Sequence, residues 1–84
     1  MEYHLGEGAA ATMIRIRLST LLGERRWTQT KFAKIAGLRV ATVNEYYNEL
    51  VRNVSLDTID RMCNALGCQV GDLLVWEPDK TEEQ

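Results

Sequence analysis

Amide and carboxylate side chains recur on one side of a short segment near the middle of this 84-residue chain. At about 100° per residue, a helix would place Ala41, Asn44, Glu45 and Asn48 on one face. An amide group can donate and accept hydrogen bonds, whereas a carboxylate only accepts them. The chemistry that this face offers is therefore recognition of hydrogen-bonding groups on a partner.

Residue types that catalyse reactions or bind metals are few and scattered. Cys63 and Cys68 are separated by four residues, with no second pair and no nearby histidine to complete a metal site. We interpret them as buried, reduced thiols. His4 is the only histidine, and the sequence gives no reason to interpret it as a metal ligand or a base. The sequence also contains no nucleophile, base and orienting group that occur together. We expect neither an enzyme nor a cofactor.

The recognition face belongs to the second of two short amphipathic helices that meet at a glycine. Helices that cross at a steep angle need a small residue at their contact, here Ala33, and the turn needs a residue that tolerates a left-handed backbone, here Gly37. The apolar residues predicted to face a shared core are Phe32, Ile35 and Ala36 on the first helix and Val43, Tyr46, Tyr47 and Leu50 on the second. This spacing predicts a helix-turn-helix over residues 28–46.

In a DNA-binding helix-turn-helix, the outer face of the second helix enters the major groove and its N-terminal residues meet base edges. Val40 and Thr42 lie at the margins of that face. Two helices packed around a glycine turn also occur in all-α proteins that do not bind DNA. The whole pattern favours DNA binding more strongly than Ala33 or Gly37 does alone.

The distribution of charge favours the same interpretation, although the net charge is −2. Residues 13–52 contain eight basic and three acidic residues, a net charge of +5, whereas residues 53–84 contain two basic and seven acidic residues, a net charge of −5. A basic half can meet phosphates while an acidic half faces water or a partner. A mixed solvated surface would give the same asymmetry by chance.

The chain has the length of one small domain. We assign residues 13–78 to this domain, residues 1–12 to a flexible leader or an added extension with Met13 as an alternative start, and residues 79–84 to a charged, frayed tail. The sequence contains no run of about 18 apolar residues, and its first residues lack the basic and apolar regions that are typical of a signal peptide. We therefore expect a cytoplasmic protein with no membrane span.

Start and stop signals divide the rest of the domain into helices. Thr28 is the predicted N-cap of the first helix of the motif, with Trp27 and Phe32 as a hydrophobic staple. Ser55 is the predicted cap of a fourth helix that Gly67 ends. The predicted buried stripe of that helix is Leu56, Ile59, Met62, Cys63 and Leu66.

Two further segments complete a compact all-α, five-helix domain, namely a helix from Leu18 to Arg26 and a short turn of helix over residues 70–74. Residues 13–17 alternate between apolar and basic types as a strand does. Val75 and Trp76 prefer an extended backbone, so these two ends could pair as a short antiparallel ribbon.

Together, these residues resemble the lambda-repressor-like (Cro-like, Xre-type) helix-turn-helix regulators over residues 13–76. The motifs that carry the resemblance are Thr28 and Gln29, the spacing of Ala33 and Gly37, Thr42 and Val43, and the stretches 55–59, 65–68 and 71–74. The resemblance implies a bundle of about five helices that binds double-stranded operator DNA as a homodimer and represses transcription. The alternative is an antitoxin-like module that uses the same fold to bind a protein partner.

The resemblance also implies roles for nine residues. Bases would be contacted by Val40, Ala41, Asn44 and Glu45, and phosphates by Gln29, Arg39, Thr42, Asn48 and Arg52. The two aliphatic residues can offer only apolar contact to a thymine methyl group, whereas Asn44 could read adenine and Glu45 could accept from the amino group of cytosine.

Four positions depart from the family's pattern. Arg39 stands where a serine or threonine usually caps the recognition helix, and Lys31 stands where an acidic residue often completes a capping box. Glu45 stands where a basic or neutral residue is common, and Glu49 replaces the usual glycine after Asn48. We expect a weaker helix cap and a weaker attraction for phosphates.

Overall fold

The computed structural model describes residues 13–78. The elements in chain order are β1 (Ile14–Ile16), α1 (Leu18–Arg25), α2 (Gln29–Ala36), α3 (Val40–Tyr47), α4 (Leu56–Leu66), α5 (Val70–Leu73) and β2 (Leu74–Trp76). The leader predicted at residues 1–12 and the tail predicted at residues 79–84 lie outside the described residues. No helix in the described part has the length and apolarity needed to cross a membrane.

The antiparallel pairing of β1 with β2 joins the two ends of the helical domain, as the sequence predicted. Ile14 pairs with Trp76 and Ile16 with Leu74. At the ends of the ladder, the Arg17 amide donates to the Leu73 carbonyl and the Glu77 amide donates to the Met13 carbonyl, each at 2.8 Å. The described fold is thus a helical domain with one small sheet.

The core lies at the centre of the helices, and α1 to α5 each contribute to it. Its buried residues are Ile16, Leu18, Leu22, Phe32, Ala33, Ala36, Val43, Tyr46, Ile59, Met62, Leu66 and Leu73. Phe32 is fully buried, and its ring stacks on Trp27 with centroids 6.3 Å apart. Fully burying a side chain of this size contributes about 1.5–3 kcal/mol to folding.

Three residues predicted to be in the core are exposed instead. Ile35 is 46% exposed because α2 packs through Phe32, Ala33 and Ala36, whose common direction leaves Ile35 pointing outward. Leu50 is 63% exposed because α3 has ended by Tyr47, so the helical period no longer applies. Leu56 is 84% exposed because it is the first residue of α4, beyond the part of that helix that meets the core.

Hydroxyl side chains cap the two helices for which the sequence predicted N-caps. The Lys31 amide donates to Thr28 Oγ1 at 3.0 Å at the start of α2, and the Thr58 amide donates to Ser55 Oγ at 3.3 Å at the start of α4. Such a bond satisfies one of the amides that a helix start leaves without a partner. By contrast, Arg39 precedes α3 and makes no side-chain cap.

Four of the described helices end in the same way. A residue with a left-handed backbone is followed by a residue whose amide donates a hydrogen bond to a carbonyl in the last turn of the helix. The left-handed residues are Arg26 after α1 (φ 56°), Gly37 after α2 (φ 72°), Glu49 after α3 (φ 55°) and Gly67 after α4 (φ 68°). In each of these hydrogen bonds a backbone amide donates to a backbone carbonyl: Trp27 to Leu22, Leu38 to Ala33, Leu50 to Glu45 and Cys68 to Cys63. Glycine takes this conformation without strain, whereas in other residues it costs about 1–2 kcal/mol.

Two glycine-to-alanine substitutions should therefore change stability in opposite directions. Gly23 lies inside α1, and a methyl group added to its Cα would meet open space, so Gly23→Ala should stabilise the domain by about 1 kcal/mol through helix propensity. Gly67 has similar space but φ 68°, so Gly67→Ala should destabilise it by about 1–2 kcal/mol. Thermal unfolding followed by circular dichroism measures both, and shifts of the same sign would contradict this account.

Candidate nucleic-acid interface

The close approach of α2 to α3 creates the candidate interface. Ala33 is only 2% exposed at this contact, and the Leu38 amide donates a hydrogen bond to the Ala33 carbonyl at 2.9 Å. Gly37 makes the turn in the left-handed conformation that the sequence predicted for it. Val43 and Tyr46 on α3 are buried against the core. The opposite side of α3 is therefore presented to solvent.

The four predicted base-contacting residues share this solvent-facing surface. Val40, Ala41, Asn44 and Glu45 are all exposed. We call these four residues the reading face. Among the described residues, none forms a hydrogen bond or an ion pair with the Glu45 carboxylate, so its oxygens are available as acceptors on this face.

One hydrogen bond connects the two helices of the motif across the interface. Asn44 Nδ2 on α3 donates to Gln29 Oε1 at the first residue of α2, at 3.2 Å. This bond uses one of the two N–H groups of Asn44 and leaves its oxygen and second N–H for a partner. The Gln29 amide nitrogen likewise keeps its donors. The bond therefore fixes the orientation of two predicted DNA contacts relative to each other.

The other predicted phosphate contacts lie at both ends of α3. Arg39 immediately precedes the helix and is exposed, and Thr42 is half-buried within its first turn. Asn48 follows the helix, where its side-chain amide donates to the Asn44 carbonyl at 3.0 Å. Arg52 is exposed on the connection to α4. Positive side chains thus stand before and after the reading face.

Comparison with known proteins assigns the family. Residues 17–79 match the family model of the Cro/C1-type HTH DNA-binding domain. The chain belongs to the Cro/C1-type helix-turn-helix family. It is also 28% identical over 67 residues to an uncharacterized HTH-type transcriptional regulator, YozG, of Bacillus subtilis (strain 168), an alignment that covers 80% of each chain.

One contact that supports the turn of this Cro/C1-type domain has no direct signal in the sequence. Arg61 on α4 donates from Nη1 to the Gly37 carbonyl at 3.4 Å and from Nε to Asp57 Oδ2 at 2.9 Å. The spacing of Asp57 and Arg61 predicts a pair on one helix face. The contact with Gly37 depends on how α4 packs against the turn, which no local pattern encodes.

The two cysteines of the Cro/C1-type domain lie away from the reading face, at the end of α4. They are free thiols and are half-buried, less enclosed than the sequence predicted. Burial raises the pKa of the Cys68 thiol above its usual value, and the neighbouring Cys63 raises it further. Cys68 therefore stays protonated at neutral pH, in which state a thiol is a poor nucleophile. Within residues 13–78, no group of three acidic, cysteine or histidine side chains is placed to hold a metal ion.

The uncapped start of α3 leads to a prediction about stability. Arg39 has φ −81° and ψ 149°, the extended conformation that an N-cap residue adopts, but provides no cap. Arg39→Ser should supply the missing acceptor and make the domain about 1 kcal/mol more stable than Arg39→Ala, which removes the same charge. Urea unfolding of the two variants measures this difference, and equal stabilities would show that serine does not cap α3.

Proposed function

We propose that this protein is a cytoplasmic transcriptional repressor of lambda-repressor-like architecture that binds a pseudo-palindromic operator as a homodimer, with α3 in the major groove. Membership of a DNA-binding helix-turn-helix family supports the general activity. The observation that carries the sequence-specific part is the reading face on α3, in which Asn44 is held by Gln29 of α2. An oriented amide on an exposed recognition helix is suited to reading a base edge.

Each residue of the reading face offers a different contact. Asn44 retains one donor and one acceptor, the pair that matches N7 and the amino group of adenine. Glu45 can accept from the amino group of cytosine, and Val40 and Ala41 can contact thymine methyl groups. A well-formed bidentate contact discriminates against the wrong base by about 1–3 kcal/mol. The reading face thus favours sites with A·T pairs near the start of α3.

Phosphate binding would orient the domain on the duplex. Gln29 begins α2, where backbone amides and the helix dipole favour an anion, and the first turn of α2 contains no acidic residue. Arg39, Thr42, Asn48 and Arg52 would contact phosphates on either side of the groove. These contacts provide affinity for any sequence, and the reading face provides the preference among sequences.

The size of α3 supports a dimer. The helix has eight residues and is therefore about 12 Å long, which is enough to contact only a few base pairs. Two copies on half-sites about 34 Å apart would double the number of bases read. The pseudo-palindromic operator follows from the two-fold symmetry of such a dimer.

Three of the four acidic residues in the described range 57–77 contact other groups of the domain, with Asp60 on α4 as the exception, so this range gives little support to the alternative of a protein-binding module. Asp57 pairs with Arg61, Asp72 accepts from the Gln69 amide at 3.0 Å, and Glu77 lies 3.8 Å from Arg15. These carboxylates are thus engaged within the domain. A partner that used them would first have to compete with internal contacts.

Selection of binding sites from random duplexes tests the proposal. Glu45→Ala should change the preferred base at one position of each half-site, because it removes an acceptor from the reading face. Arg52→Ala, at a predicted phosphate contact, should weaken binding to all sequences by a similar factor. Gln29→Ala should weaken all binding and also relax the preference for adenine, since it releases Asn44.

The controls concern symmetry and the assigned face. The selected site should contain two inverted half-sites, and the mass of the complex should correspond to two chains per duplex. A single half-site bound by one chain would contradict the dimer. An unchanged base preference in Glu45→Ala would contradict the assignment of the reading face.

A further inference from the structure

The end of α3 is built from a residue that is poorly suited to its backbone conformation. Glu49 has φ 55°, a left-handed value. Its amide donates to the Tyr46 carbonyl at 3.2 Å, and the following Leu50 amide donates to the Glu45 carbonyl at 2.8 Å. The corresponding residues after α2 and α4 are glycines. A glutamate at this position costs backbone strain that a glycine would avoid.

The side chain of Glu49 makes contacts that a glycine could not make. Its Oε1 accepts a hydrogen bond from the Ile16 amide at 3.1 Å, between residues that are 33 positions apart. The same oxygen lies 3.6 Å from Nη1 of Arg15. Arg15 in turn lies 3.8 Å from Glu77, immediately after β2. Glu49 thus connects the end of α3 to β1, and Arg15 lies between its carboxylate and that of Glu77.

The hydrogen bond occupies the open edge of β1. Because residues 13 and 17 bond to the other strand, the alternation of the ladder directs the Ile16 amide away from β2. The Ile16 side chain is buried in the core, so this part of β1 is held firmly. The Glu49 carboxylate therefore attaches α3 to a fixed point of the domain.

Arg26 is the other described non-glycine residue with a left-handed backbone, and its side chain makes no comparable contact. Arg26 ends α1 with φ 56°, and within the described residues its side chain makes no hydrogen bond or ion pair. The two positions share a backbone conformation and differ in what the side chain does. This makes Arg26 the matched control for Glu49.

We propose that Glu49 is a positioning residue for DNA recognition, whose carboxylate sets the direction of α3 by fixing the end of the helix to β1. The inference rests on the proposed function. The bond from Asn44 to Gln29 ties the middle of α3 to α2, and Glu49 provides a second point of attachment, beyond the C-terminal end. Two separated attachments define the direction of a short helix, and base readout depends on that direction far more than attraction to phosphates does.

The test compares Glu49→Gly with Glu49→Gln. Both variants remove the same negative charge, so a change in general attraction to DNA is equal in the two. Glutamine keeps an oxygen that can accept from the Ile16 amide, whereas glycine removes the acceptor and relieves the strain. We expect the ratio of affinities for the selected site and for a scrambled duplex to fall at least fivefold in Glu49→Gly. It should stay within twofold of the parent protein in Glu49→Gln and in Arg26→Gly.

Hydrogen exchange supplies a readout that does not depend on DNA. The Ile16 amide should exchange at least tenfold faster in Glu49→Gly than in Glu49→Gln, while amides in the middle of α4 stay protected in both. If Glu49→Gly does not fold, Glu49→Asn repeats the test, because asparagine tolerates a left-handed backbone. Its side chain is one methylene shorter than that of glutamine, so we expect its oxygen not to reach the Ile16 amide.

The possible failures are distinguishable. A parent protein with no preference between selected and scrambled duplexes would reject the proposed function, and the role of Glu49 with it. A parent protein with such a preference that is unchanged in Glu49→Gly would reject the positioning role alone. An equal loss in Glu49→Gln and Glu49→Gly would also reject it, since glutamine retains the acceptor.

Discussion

The close contact between α2 and α3 is the constraint on which the candidate interface depends. The backbones can approach because the contact residue is Ala33, which is almost completely buried, and because Gly37 accepts the left-handed turn. This approach directs one side of α3 into the core and the other into solvent. It also brings Gln29, at the start of α2, within hydrogen-bond distance of Asn44. A larger side chain at position 33 would separate the helices and break that bond.

Around this contact, other parts of the domain hold the motif in place from outside. Arg61 reaches from α4 to the carbonyl of Gly37, and Asp57 orients Arg61 through its carboxylate. Arg25 on α1 donates to the Leu66 carbonyl at 2.9 Å and satisfies part of the C-terminal end of α4. These charged groups are partly exposed, so each pair contributes little to overall stability. Their effect is geometric, because Arg61 and Arg25 each join elements that lie far apart in the sequence.

Local features of the sequence predicted much of this structure. Thr28 and Ser55 cap the helices assigned to them, Gly37 and Gly67 end helices in the left-handed conformation, and the two terminal strands pair. Each of these depends on a few adjacent residues or on a clear period. The predictions for Leu50 and Leu56 were wrong because periodicity does not show how far the core extends along a helix face. The prediction for Ile35 was wrong because periodicity does not fix which side of a broad apolar face meets the core.

The contacts that orient the interface were beyond the reach of sequence reasoning. The bonds from Asn44 to Gln29 and from Ile16 to Glu49 join residues 15 and 33 positions apart, and they form only once the helices have packed. The sequence did mark Glu49 as unusual, since glycine is the usual residue there, but it indicated no partner for the carboxylate. The assignment of individual residues to bases and phosphates remains a prediction, because it concerns a complex with DNA.

The central claim is that the exposed face of α3, together with the start of α2, is the surface that meets DNA. Amide chemical-shift changes during titration with a duplex from the site selection measure that surface residue by residue. This account predicts the largest changes at residues 29–31 and 40–45, with a further set near Arg52, and small changes in the second half of α4. The opposite pattern, with changes concentrated on α4, α5 and β2, would contradict it.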